Sequence, residues 1–207
     1  VMAFTVNYLK TMISQFISFL KGDLNSFISQ KKGVEDTFVL FANLNNVIEN
    51  SQNGDNKIII IIVNIEEEKL LQSPDNYLKS KTEITYKNPP VWLNFICLFT
   101  FFTKSNETYD GIDMLANVVQ YFQSRPRLNK TTAFVSDNFP SVYDDLRAEF
   151  ISLNYEQTNY LWGLFGGKYH PSVVYKFKTI PIDNNDITPG GLPILDTKVG
   201  AVHKKEK

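Results

Sequence analysis

Residues 161–183 read LWGLFGGKYHPSVVYKFKTIPID, which predicts a helix end, a turn and a strand in that order. The bulky Leu161, Trp162, Leu164 and Phe165 close a helix that starts after Asn154, where Gln157 occupies the reciprocal position of a capping box. Gly166 and Gly167 supply the positive-φ conformations that end helices. Pro171 holds His170 extended and cannot continue a helix. The chain then alternates, with Val173, Tyr175, Phe177 and Thr179 on one side and Val174, Lys176, Lys178 and Ile180 on the other. A period of two predicts a strand with one largely apolar face. The glycine pair precedes a strand rather than a helix, so it does not form a phosphate loop.

That strand needs partners, and two runs upstream provide them. Residues 57–65 carry IIIIIV, a continuous β-branched run expected of a central strand buried on both faces. Residues 91–102, VWLNFICLFTFF, are apolar on both alternating faces and predict a second central strand. Shorter strands are expected over 37–44 and 145–153, with a further short one at 133–135.

Two helices should lie on the sheet. In 8–29, Leu9, Met12, Ile13, Phe16, Leu20, Leu24, Phe27 and Ile28 recur at helical spacing, with Lys10, Gln15, Lys21 and Asp23 between them. In 108–123 the stripe is Ile112, Leu115, Val118, Val119 and Phe122, stopped by Arg125-Pro126. Residues 45–56, with Asn53-Gly54, read as a turn-containing loop, and 70–87 as an irregular polar one. After Asp183 the apolar pattern dissolves into Pro189-Gly190-Gly191 and a basic end. The expectation is an α/β (α+β) domain over 1–183, with a central mixed β-sheet flanked by helices, and a flexible or docking tail over 184–207.

Composition narrows the function. The 207 residues include 16 Phe, 10 Tyr and 2 Trp, which suits a dense core and subunit interfaces. A formal net charge of −1 leaves no basic footprint for nucleic acid. Cys97 is the single cysteine, so a disulfide or cysteine metal site is not expected. The longest apolar run is too short to span a membrane, and a secretory leader is not apparent, so synthesis in the cytoplasm is expected. Glu66, Glu67 and Glu68 are adjacent, but on a strand Glu67 opposes the other two, and a salt-bridged strand end is expected rather than a metal site. No nucleophile elbow, dinucleotide fingerprint or zinc motif is present. No catalytic residue, cofactor or metal is therefore expected. The competing reading is a small α/β enzyme or ligand-binding domain built on Glu66, Glu68, Tyr169 and His170.

Several segments together resemble a known family. FLKGDLNSFI, KIIIIIVNIEEEKLLQ, NPPVWLNFICLFT, YDGIDMLANVVQYFQSRP and LNYEQTNYLWGLFGGKYHPSVVYKF occur here in one order and spacing, from about Met12 to Asp183. They are similar to the cap, or tail-terminator, proteins of extracellular contractile injection systems of the antifeeding-prophage and virulence-cassette type. The resemblance implies a fold akin to phage tail terminators and no catalytic residues. It implies a hexameric ring that seats on the inner tube and sheath and ends their growth, alongside a second cap protein in some particles. It also implies a place in an assembled phage-tail-like particle that is released from the cell. The contact residues expected on this reading are Glu66, Glu67, Glu68, Tyr77, Lys79, Lys81, Phe101, Phe102, Tyr169, His170, Lys204 and Lys205.

Overall fold

A six-stranded sheet takes its middle from the three runs that the sequence marks as strands. In the computed structural model β2 (Lys57–Glu67), β5 (Val91–Phe102) and β8 (Ser172–Ile182) lie side by side and antiparallel. β1 (Val39–Phe41) adds in parallel to β2, while β7 (Leu146–Ile151) and the two-residue β6 (Arg127–Leu128) extend the other side, giving the order β1-β2-β5-β8-β7-β6. The described residues are 2–44, 47, 56–69, 77–79, 84–87, 91–103, 108–182 and 187–189. The Asn53-Gly54 turn lies outside them.

Helices α1 (Met2–Lys32) and α2 (Thr108–Ser124) pack on one face of the sheet, and α3 (Tyr155–Leu164) packs on the other. Phe16, Phe19, Leu20, Leu24 and Ile28 from α1 are buried against Phe95, Phe99, Phe101 and Phe177. Each such side chain contributes about 1.5–3 kcal/mol on burial. The aromatics meet edge-on or tilted, as in Phe16–Phe177 at 5.4 Å and Phe122–Tyr175 at 4.4 Å between ring centroids. On the second face Leu44, Val47, Ile59, Ile61, Leu98, Phe102, Trp162 and Val174 form a smaller core. β2 and β5 are thus covered on both faces, which is why their sequences are apolar in both alternations.

Two bulges reset the alternation. One extra residue in β2 falls between Ile62 and Asn64, and another in β8 falls between Phe177 and Ile180. The second puts Ile180 in the same core as Tyr175 and Phe177, whereas strict period-two reading places it with the lysines. Gly33, at φ 66°, ends α1: its N–H donates to Gln30 O and that of Val34 donates to Ser29 O, each at 3.3 Å. That is the hydrogen-bond pattern of a Schellman cap. Asn25 then fixes the path to β1, accepting from Phe38 N–H at 2.7 Å and Val39 N–H at 3.1 Å while donating to Asp36 O at 3.0 Å.

The structure departs from the sequence reading in four places. Residues 133–135 are a turn leading to a 3-10 helix at Ser136–Asn138, not a strand, and the pairing strand is β6 instead. The strand expected over 37–44 is only Val39–Phe41. The polar stretch 70–87 contains β3 (Tyr77–Lys79) and β4 (Ile84–Lys87), which pair antiparallel. β9 (Ile187–Pro189), beyond Asp183, pairs with β4 to complete a three-stranded sheet. Short strands with mixed side chains leave no period to read; their pairing partner is what creates them.

Gly111 is required by packing. A Cβ there would lie 2.3 Å from Cδ1 of Phe101, whose ring is 5% exposed. Gly111→Ala gains about 1 kcal/mol in helix propensity but forces a buried ring to move, at about 1–3 kcal/mol. A net loss of about 1 kcal/mol is expected in urea denaturation; a variant more stable than the parent would show that Phe101 yields easily.

Candidate functional site

The organising stretch forms as its residues dictate. Asn154 Oδ1 accepts from Gln157 N–H at 2.8 Å, and Gln157 Oε1 accepts from Asn154 N–H at 3.0 Å, so the capping box is complete. Gly166 and Gly167 have φ of 89° and 77°, and Gly167 N–H donates to Trp162 O at 2.9 Å. The chain then passes His170 and Pro171, whose carbonyl accepts from the buried Thr100 hydroxyl at 3.0 Å, into β8. Trp162 is the buried residue of α3, and its ring meets Phe165, Tyr169 and His170 at 5.8, 5.9 and 5.5 Å. Its Nε1 has no hydrogen-bond partner among the described residues. Outward from this anchor, Tyr155, Tyr160, Leu164 and Tyr169 are exposed.

The Glu66–Glu68 run sits at the other end of the sheet. Glu66 Oε2 pairs with Lys176 Nζ at 2.6 Å, and Glu68 Oε2 accepts from Asn94 Nδ2 at 3.1 Å. Glu66 stands opposite Asn94, whereas His170 leans on Phe102, eight residues further along β5. At about 3.3 Å per residue the two groups are roughly 26 Å apart. The four residues of the enzyme reading therefore do not converge. Burial and the neighbouring Lys168 lower the His170 pKa, and burial pushes the Cys97 thiol up to about 12. Neither group has a carboxylate or hydroxyl in a catalytic arrangement with it among the described residues.

The other expected contact residues are dispersed. Tyr77 and Lys79 lie on β3, while Lys81, Lys204 and Lys205 lie outside the described residues. Phe101 and Phe102 are 5% and 7% exposed and belong to the cores on the two faces, so their rings are used for packing within the chain rather than displayed.

The least foreseen feature is Asp23, which is fully buried. Its carboxylate accepts the Tyr121 hydroxyl, Phe134 N–H at 2.9 Å and Val135 N–H at 2.7 Å, tying α1 to α2 and to the loop after β6. Burial and the adjacent Asp23 carboxylate raise the Tyr121 pKa, keeping the phenol a donor. The sequence contained the signal: Asp23 is four residues from both Phe19 and Phe27, inside the apolar stripe.

A mixed sheet flanked by helices on both faces, with a second core under α3, defines an α+β protein, and no catalytic groups converge among the described residues. The chain belongs to the Pvc16 N-terminal domain family, which it matches over residues 7–196. Its fold is similar to the sheath/tube terminator of an extracellular contractile injection system, PVC, in the extended state, with a TM-score of 0.65 and 14% identity over 93% of this chain and 64% of that one. It is also similar to the tube-terminating cap of the anti-feeding prophage, with a TM-score of 0.50 and 13% identity over 70% of this chain and 48% of that one. The chain thus spans less than two thirds of either structure's length. A search of curated proteins gives no match.

Proposed function

We propose that this chain is a structural cap, a tail terminator that seats as a ring on the inner tube and sheath of a contractile injection system and ends their polymerisation. The observation that carries this reading is the family match over residues 7–196, joined to a terminator fold that covers 93% of the chain. Both neighbours are structural terminators by description, and an enzymatic role finds no support in the dispersed Glu66, Glu68, Tyr169 and His170. The working state on this reading is a six-fold ring of identical heterologous contacts, matched to the tube it closes. Its partners are the tube and sheath proteins, with a second cap protein in particles that carry two. The cap is made in the cytoplasm and leaves the cell within the particle. No helix among the described residues is long and apolar enough to cross a membrane. Within this scheme the core domain ends near Asp183, β9 ties the next residues back to β4, and the remainder is a docking arm.

The test is deletion of the gene in a particle-producing strain, with tube and sheath lengths measured in negative-stain images. The expected result is overlong or open-ended tubes and loss of extended sheath, restored by the intact gene. Unchanged lengths and closed ends would reject the cap role.

A further inference from the structure

Three cations are aligned across three strands. Arg127 on β6 stands directly opposite Arg147 on β7, and Arg147 directly opposite Lys178 on β8. Directly opposed residues share a face, and like charges so placed repel. Leu128 and Leu146, one residue along, enter the main core, so the row lies on the opposite face. α3 covers that face around Val174, and the row lines a cleft of about 500 Å³ together with Ser124, Pro126 and Thr132. Glu149 pairs with Lys178 at 2.5 Å and Asp145 with Arg147 at 3.5 Å. Arg127 has no carboxylate partner among the described residues.

Complementary chemistry lies at the far end of α2. Asp110 and Asp113 are exposed there, and neither has a cation partner among the described residues. The helix dipole accounts for an acid in the first turn, but Asp113 is in the second. Between them Ile112 is 53% exposed. α2 runs from this acidic end to Ser124, beside the cation cleft, so the two patches are roughly 22 Å apart at 1.5 Å per residue.

We propose that the cleft receives the N-terminal end of α2 from a second copy, Asp110 and Asp113 pairing with Arg127 and Arg147 while Ile112 packs on Pro126. This rests on the ring in the proposed function and supplies its contact. Two different patches at opposite ends of one protomer give a head-to-tail interface, the type that closes into rings. Guanidinium forks suit carboxylates because both can bond in pairs.

The experiment is mass photometry and sedimentation velocity on the full chain and two exposed-surface variants, R127E/R147E and D110K/D113K, each first shown by circular dichroism to melt near the parent. The parent is expected to self-associate and to weaken as salt is raised. Each variant alone is expected to lose association by about tenfold or more. Mixed together they are expected to regain it, because the reversed cleft of one variant meets the reversed helix end of the other with opposite sign, and the two unreversed patches meet as in the parent. A monomeric parent, variants that associate like the parent, or a mixture that stays monomeric would overturn the proposal. D110N/D113N, which removes charge without reversal, should fall between parent and D110K/D113K; parent-like behaviour would also count against it. Capping by the same proteins in gene-deleted particles is read separately: capping retained by both variants leaves the cap role standing and moves the contact elsewhere.

Discussion

Asp23→Ala is expected to cost roughly 3–5 kcal/mol of folding stability, because it orphans three donors at once. The Tyr121 hydroxyl is fully buried, and the amides of Phe134 and Val135 lie in a half-buried loop. A buried donor left without an acceptor costs about 1–3 kcal/mol, while removing the carboxylate recovers part of the cost of burying a charge. The first effect outweighs the second because all three donors stay in place. Asp23→Asn keeps an acceptor oxygen for the loop and is expected to cost about half as much. Tyr121→Phe removes one donor together with its bond and should cost less again. A double-mutant cycle on Asp23 and Tyr121 should give a coupling of about 1 kcal/mol or more. Urea denaturation followed by circular dichroism measures all of these, and a loss below about 1 kcal/mol for Asp23→Ala would mean that water replaces the carboxylate.

The same residue shows how far the sequence could be read. Periodicity located α1, α2 and the strands β2, β5 and β8, because long apolar runs leave few alternatives. It also placed the capping box at Asn154 and Gln157 and the glycine turn at 166–167. Asp23 escaped because a charge in an apolar stripe reads as a break in it until a buried partner is known, and Tyr121 is 98 residues away. The extent of β1 within 37–44, β6 and the β3–β4–β9 sheet escaped for a related reason. Each has two to four residues, too few for a period, and exists through pairing with distant chain. Phe101 and Phe102 were expected at a contact surface because they end a strand long enough to outrun its core; α2 on one face and the α3 side on the other cover them. For the family, order and spacing of several segments carried more than any single motif, and the cap role we propose would work through surfaces rather than a reactive group.

Trp162→Ala is expected to cost about 3–5 kcal/mol, the range for truncating a buried aromatic, and to release α3 from the sheet. α3 is ten residues long, too short to be stable alone. Trp162 is its buried anchor, supported by the half-buried Leu161 and Phe165. The same ring braces His170, which in turn meets Phe102, so its loss opens the second core from α3 to the end of β5. Two observations should accompany the stability loss: faster proteolysis within residues 154–171, and little change in the core that α1 and α2 cover. Trp162→Phe separates packing from polarity. It keeps most of the ring and removes an Nε1 that has no partner among the described residues, so it should cost no more than about 2 kcal/mol. Equal losses for Phe and Ala would mean that the indole nitrogen, through a bridging water, matters more than the area it buries. A loss below about 1 kcal/mol for Ala, with proteolysis unchanged, would mean that the glycine turn and the Thr100–Pro171 hydrogen bond hold α3 without its anchor.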